Sequence, residues 1–276
     1  MYYYLEILLN LRLKMKIDYH THTKLSLDNE QSIDELCKAC IDKGIEEVCI
    51  TEHVDFNPKD TCYGGFSWDK CLSNINYAKS KYKISVKIGA EFDAAFIYQD
   101  KINYTIKQCK FDYIMGSCHY CHNKTTFNDP NYFTGKSQYE SYYDYFNEEL
   151  KVIKSGYYDG VSHFDLIKRT GYELYGPYNP IDFENIIVEC LLASINNDMT
   201  LEINSSGLRH AKETYPNEWI LRLYKDLGGI NVTYGSDGHS YNQDAYAIDY
   251  CYDMLKNIGF KYFVTYSNRN KIYVDY

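Results

Sequence analysis

Short, nearly unbroken apolar runs alternate along this chain with longer segments whose apolar positions recur three and four residues apart. The first pattern predicts buried strands and the second amphipathic helices. Ile17 to Tyr19 opens the series as a strand. Ser32–Lys43 has helical spacing at Ile33, Leu36, Cys37, Cys40 and Ile41, with Ser32 as N-cap and Gly44 as the stop. Glu47–Thr51 reads as a strand ending in Glu52 and His53, Trp68–Lys81 as a helix, and Val86–Ala90 as a strand ending in Glu91 and Asp93. Phe111–Met115 is a strand running into His119, and the Tyr-rich segment Ser137–Ser155 a helix. Gly160–Ser162 is a short strand ending at His163, Asp182–Asn196 a helix, and Thr200–Asn204 a strand. Glu218–Leu227 is a helix stopped by Gly228 and Gly229, and Ile230–Tyr234 a strand ending in Gly235-Ser-Asp-Gly-His239. A helix over Ala245–Asn257 and a strand over Tyr262–Thr265 complete the series.

That alternation predicts an α/β chain of parallel βα units. Each of seven strands carries an ionisable or amide residue at or just past its C-terminal end. In a barrel those ends converge on one face, where barrel enzymes build their sites. No internal repeat, linker or low-complexity block interrupts the pattern. Residues 15–276 are therefore expected to form one barrel domain. Residues 1–14, ahead of Met15, read as an N-terminal extension without assignable chemistry.

Composition narrows the partners. Hydrophobic residues at 45% and charged residues at 24% supply an ordinary globular core. A net charge of −9 argues against broad affinity for nucleic acid or anionic membrane and leaves small molecules as the expected ligands. No run approaches the ~18 apolar residues of a membrane span. The first residues lack the basic stretch and small-residue cleavage site of a secretory signal. The ten cysteines are scattered, and a chain of this size needs no disulfide. A cytoplasmic location with reduced thiols is expected.

The candidate chemistry is carried by histidine. His20 and His22 are separated by one residue, so at a strand end both imidazoles point the same way. His53, His119, His163 and His239 also sit in short motifs near strand ends, accompanied by Asp28, Glu52, Glu91 and Asp237. Lining a barrel mouth with uncompensated imidazoles and carboxylates is costly, because each must be desolvated. A shared cluster of divalent cations removes that cost.

Together, His20-Thr-His22, Ile-Thr-Glu-His53, Gly-Ala-Glu91, Gly-Ser-Cys-His119, Ser-His163-Phe-Asp and Gly-Ser-Asp237-Gly-His239 resemble the PHP (polymerase and histidinol phosphatase) metal-dependent phosphoesterases. The resemblance runs from Met15 onward. Ser26-Leu-Asp28, His163-Phe-Asp-Leu-Ile-Lys-Arg169 and Glu202-Ile-Asn-Ser-Ser-Gly-Leu-Arg209 are most similar to the histidinol-phosphatase branch. The resemblance implies a distorted (β/α)7 barrel, TIM-like, holding three divalent metal ions. The first would take His20, His22, Glu91 and Asp237. Glu91 would bridge to the second, shared with His119 and His163. The third would take Asp28, His53 and His239. Such imidazole–carboxylate ligation suits Zn, Fe or Mn. The implied reaction is hydrolysis of a phosphate monoester, L-histidinol phosphate first of all, by a hydroxide generated on the cations, with Asp237 and His239 in the catalytic set. Arg169 and Arg209, a few residues beyond strand ends, are the candidates to grip phosphate through their planar forks. Asn204, His122 and Glu52 are further substrate-side candidates. Asn204 could instead cap a turn, His122 lie on the surface, and Glu52 steady a ligand.

Other readings remain at this stage. The same metals could serve a sugar phosphate, a nucleotide or a phosphotyrosyl protein. An amidohydrolase-type barrel also opens with H-x-H, but needs a carbamylated lysine where Glu91 stands. A non-enzymatic metal-binding module would need an incomplete ligand set. Cys118-His-Tyr-Cys121-His122 matches the haem-attachment spacing, yet no export signal accompanies it and His119 is needed as a ligand. Cys37 and Cys40 read as helix packing, and His210 as a bystander. Oligomeric state is open.

Overall fold

Ile17–Thr21, Tyr113–Ser117 and Thr200–Asn204 are buried at every position, as strands covered on both faces must be. The computed structural model describes residues 15–94, 96–127 and 129–275, so the expected extension over 1–14 lies outside the described residues. The first half runs β1 (Ile17–Thr21), α1 (Ile33–Asp42), β2 (Glu47–Val54), α2 (Trp68–Lys81), β3 (Ser85–Asp93), α3 (Gln99–Gln108) and β4 (Tyr113–Ser117). A small hairpin follows, β5 (Tyr120–Cys121) and β6 (Lys124–Thr125), then α4 (Gln138–Lys154), β7 (Gly160–Val161), α5 (Lys168–Tyr175) and α6 (Glu184–Asn196). The chain ends with β8 (Thr200–Asn204), α7 (Ser206–His210), α8 (Glu218–Asp226), β9 (Val232–Gly235), α9 (Ile248–Ile258), β10 (Phe263–Ser267) and β11 (Asn270–Val274).

The main sheet has the order β1-β2-β3-β4-β7-β8-β9. Every neighbouring pair is parallel. Its two ends meet where His22 N donates to Gly238 O at 3.1 Å and Asp237 N donates to His20 O at 2.8 Å. Buried Asp18 reinforces the seam, accepting from Ser236 N and Ala245 N, each at 2.9 Å. The result is the nearly closed seven-stranded barrel that the alternation of strands and helices predicts, with all strand C-termini on one face. Ser32 and Ser137 start α1 and α4 with reciprocal capping boxes, to Glu35 and Glu140.

Several boundaries differ from expectation. β4 begins at Tyr113 rather than Phe111, and β9 at Val232 rather than Ile230. α9 starts at Ile248, because Ala245 and Ala247 take positive φ of 50° and 51° and interrupt helical geometry. The last expected strand does not join the barrel: β10 pairs antiparallel with β11 in a separate hairpin. Helices α3, α5 and α7 and the β5–β6 hairpin were not foreseen. α3 buries only Ile102, and α5 turns Lys168 and Gly171 inward, so neither shows an apolar stripe.

Candidate metal centre

Every main-sheet strand except β8 sends at least one proposed ligand to the barrel mouth. His20 lies in β1 with His22 just beyond it, His53 in β2 and Glu91 in β3. His119, His163 and Asp237 each stand two residues past β4, β7 and β9. Asp237 has a φ of 50°, a left-handed geometry that Asp tolerates better than most side chains. Gly235 is required just before it, since a Cβ there would overlap Glu202 Oε1 and His20 Cβ.

Glu91 is the hub. Its Oε2 lies 3.2 Å from His20 Nε2, 3.4 Å from His22 Nε2 and 3.2 Å from His53 Nδ1. Its Oε1 lies 2.8 Å from His163 Nε2 and 3.2 Å from His119 Nε2. Asp237 Oδ1 approaches His20 Nε2 at 3.7 Å, His22 Nε2 at 3.6 Å and His239 Nδ1 at 3.7 Å. Asp28 Oδ2 stands 3.5 Å from both His53 Nε2 and His239 Nε2. The nine candidates thus converge, and His53 faces two ways, Nδ1 to Glu91 and Nε2 to Asp28.

These residues fit cations. Tetrahedral ligands bonded at ~2.1 Å stand about 3.4 Å apart, close to the separations around Glu91 and Asp28. His20 Nε2, His22 Nε2, His53 Nδ1 and Glu91 Oε2 are buried atoms without a hydrogen-bond partner. So many orphaned donor atoms in one place are costly unless a cation satisfies them. Electrostatics agree. Burial opposes charge on Glu91, but His20, His53 and His119 hold its carboxyl well below the usual range. Burial also opposes charge on His20, yet Glu202, Glu91 and Asp237 lift it well above ordinary histidine. Burial, with His53 and His239 beside it, pushes His22 well below, leaving a neutral imidazole.

Supporting residues orient the ligands. Glu202 Oε1 lies 2.7 Å from His20 Nδ1, and Glu202 Oε2 accepts from His163 N at 2.6 Å. Ser117 Oγ donates to Glu91 Oε1 at 2.7 Å. Glu52 is buried and accepts from Thr23 N, Thr23 Oγ1 and Ser26 Oγ, whose oxygen lies 3.4 Å from His22 Nδ1. It steadies the loop after β1 and does not line the cavity. Asn204 is likewise buried, its Oδ1 accepting from Ser206 N and Ser206 Oγ in a turn while its Nδ2 donates to Glu202 Oε2. His122 is exposed, 3.6 Å from Asp144. None of the three lines the cavity, so their contacts match the alternatives given for them: a ligand support for Glu52, a turn cap for Asn204 and a surface position for His122.

A cavity of about 580 Å³ opens above the cluster. Arg169 and Arg209 both line it, as does His210, expected to be a bystander. Arg169 lies over the Phe127 ring at 5.5 Å. Arg209 donates to Ser236 O at 3.2 Å and Asp237 O at 3.0 Å, so its guanidinium is braced against the loop carrying Asp237. Burial and the two arginines push His210 down to about 4. Asp55 and Asp60, not singled out in the sequence, line the same cavity from the loop after β2. Asp55 carried a readable signal, since it follows His53 by two positions and so shares its side of the extended chain. Cys118 and Cys121 are buried in the hydrophobic core, which leaves the haem-like spacing without an accessible thiol pair. The hub of the cluster is the Glu91 carboxylate, so the lysine an amidohydrolase-type site needs is not what joins these histidines.

A seven-stranded parallel barrel with a carboxylate-centred histidine cluster at its mouth defines a metal-dependent barrel hydrolase. The chain belongs to the PHP domain family, matched over residues 18–206. It is 30% identical to the histidinol-phosphatase of Lactococcus lactis subsp. lactis over 260 residues, 91% of this chain and 94% of that one. It is 28% identical to a probable histidinol-phosphatase of Thermotoga maritima, over 89% of this chain and 94% of the relative. The solved structure of the Lactococcus histidinol phosphate phosphatase, complexed with zinc, L-histidinol and phosphate, superposes with a TM-score of 0.82 at 26% identity, covering 94% of this chain and 99% of that one.

Proposed function

We propose that this protein hydrolyses L-histidinol phosphate to L-histidinol and phosphate, using three divalent cations held at the barrel mouth. The observation that carries the reading is the likeness over 94% of the chain to a histidinol phosphate phosphatase complexed with zinc, L-histidinol and phosphate. The cavity adds independent support, because it is bipolar. Arg169 and Arg209 follow β7 and β8, whereas Asp55 and Asp60 follow β2, three strands away around the ring. Lys59 also lines the cavity on the carboxylate side, where the two aspartates outnumber it, and a phosphate monoester that also carries a protonated amine matches that arrangement.

Cations bound there would polarise the phosphoryl oxygens and acidify a water at neutral pH. The chain's own side chains supply the rest. His20, His22, Glu91 and Asp237 would hold the first ion, with Glu91 shared to a second that His119 and His163 complete. Asp28, His53 and His239 would hold the third. Arg169 and Arg209 bind and orient the phosphate, the bidentate fork matching two of its oxygens. Asp55, with its buried Oδ1 free of a hydrogen-bond partner, offers an acceptor for the amine. Neutral His210 stands beside the arginines, where it can donate a hydrogen bond to phosphate. A cytoplasmic setting goes with the cysteines, all of them free thiols.

The reading is tested by incubating metal-loaded protein with L-histidinol phosphate and measuring both inorganic phosphate and L-histidinol. Equimolar products, abolished by chelator and restored by Zn²⁺, Mn²⁺ or Fe²⁺, are expected. Absence of phosphate release from protein with its metals bound contradicts it.

A further inference from the structure

Beside the Asp28–His53–His239 group stands a thiol to which the family reading gives no task. Cys62 lies in the loop between β2 and α2, is 3% exposed, and lines the cavity. Every other buried cysteine belongs to the hydrophobic core, whereas Cys62 does not. Its burial is therefore not the ordinary packing of a small apolar side chain. Its neighbours are ligand atoms. Cys62 Sγ, a carboxylate oxygen of Asp28 and a ring nitrogen of His53 all lie within 4.8 Å of one another. The loop is held to that geometry by Asp60 Oδ1, which accepts from Cys62 N at 2.7 Å, and by Gly65 N donating to Cys62 O at 3.0 Å.

A second observation concerns the histidines beside it. The rings of His53 and His239 each stack on the His22 ring, at 4.4 Å and 4.5 Å between centroids. Ring nitrogens of His22, His53 and His239 also lie within 4.8 Å of one another. His22 Nε2 faces Glu91 and Asp237, which leaves the Nε2 atoms of His53 and His239 to Asp28 Oδ2, 3.5 Å from each. Asp28, His53 and His239 together offer one carboxylate and two imidazoles, which is three donors for a cation that prefers four.

We propose that Cys62 Sγ is the fourth protein ligand of the third cation, completing an Asp28–His53–His239–Cys62 set. The proposal rests on the reading that Asp28, His53 and His239 hold an ion. On binding, the thiol releases its proton to solvent and the sulfur donates a lone pair to the cation, with no change of oxidation state. A thiolate softens an otherwise hard and borderline donor set, so this position selects Zn²⁺ or Fe²⁺ over Mn²⁺ or Mg²⁺. The other two positions, built from imidazole and carboxylate alone, lack that preference.

The test is stepwise Co²⁺ loading of metal-free full-length protein, followed by absorption in the near ultraviolet, where thiolate-to-cobalt charge transfer appears. Metal content is measured in parallel by mass spectrometry. The expected result is a charge-transfer band that grows with one of three bound equivalents and is lost in Cys62→Ser. Alkylation mapping of the unmutated protein gives a second readout independent of the variant's folding: Cys62 should become protected with the same equivalent that brings the band. Three bound cobalt ions without the band or the protection overturn the thiolate ligand and leave the three-ion reading standing. Only two bound ions overturn both. A band that survives Cys62→Ser also overturns the proposal.

Discussion

Glu202 Oε1 lies 2.7 Å from His20 Nδ1, with both side chains fully buried. A carboxylate only accepts, so a His20 Nδ1 proton faces Glu202 and Nε2 is left for a cation placed between it, Glu91 and Asp237. The strand end at Glu202 contributes no ligand of its own but sets the orientation of one. Removing such a carboxylate–histidine contact costs about 10–100-fold in metal affinity in comparable sites. Glu202→Gln should therefore lose metal to a competing chelator at ~10–100-fold lower chelator concentration. Unchanged retention would assign Glu202 a packing role alone.

The two arginines should separate in their behaviour. Arg169 stacks on Phe127, whereas Arg209 also braces the backbone at Ser236 and Asp237. A charged hydrogen bond contributes about 1.5–3 kcal/mol. Arg169→Ala should lower kcat/KM for a phosphomonoester roughly 10–100-fold with metal content intact. Arg209→Ala should lose at least as much and also loosen the Asp237 position. Steady-state kinetics with metal analysis on both variants checks this.

Lys168 is 1% exposed and donates to Asp165 Oδ2 at 2.8 Å and Thr214 O at 2.7 Å. Asp165 is 0% exposed and also accepts from Tyr178 at 2.7 Å. Removing the ammonium leaves a buried carboxylate short of its cation, a loss of about 3–5 kcal/mol. Lys168→Met should lower the melting temperature by on the order of 10 °C, far more than the exposed Lys154→Met. Differential scanning calorimetry gives the comparison.

Much of the site was legible in the sequence because metal ligation needs particular residue types at strand ends, and strand ends are visible from periodicity. His20, His22 and Glu91 could be placed that way. His53 is placed by its strand end too, but its grouping with Asp28 comes from the resemblance, since nothing in their spacing indicates that one nitrogen of His53 faces Asp28 and the other Glu91. Glu52, Asn204 and His122 stay open between substrate-side and supporting roles in the sequence, because a polar residue near a strand end can face the ligands' supports as readily as the cavity. Cys62 and Asp60 sit in a loop without periodicity, so only the folded chain brings them to the site. The sequence shows a last strand near Tyr262–Thr265 but not its antiparallel partner β11, because pairing partners are not encoded in a strand's own pattern.

Glu149 tests the interior rather than the site. It is fully buried in α4, and neither carboxylate oxygen has a hydrogen-bond partner among the described residues. Burial, against a weaker pull from His119, raises its pKa well above the ordinary carboxylate value. The folded state thus keeps a proton that the unfolded chain releases above about pH 4.3. Stability from this group is full below that pH and falls as pH rises toward the folded pKa. Glu149→Gln, which stays neutral, should raise the melting temperature more at pH 8 than at pH 5. An equal shift at both values would contradict the protonated carboxyl.

The central claim is substrate choice by a metal-loaded, bipolar cavity. The most direct measurement is kcat/KM of the metal-loaded protein for L-histidinol phosphate beside sugar phosphates, mononucleotides and phosphotyrosine, each with and without chelator. The account predicts a chelator-sensitive preference of at least tenfold for L-histidinol phosphate. Equal or faster turnover of an ester without a protonated amine would contradict it.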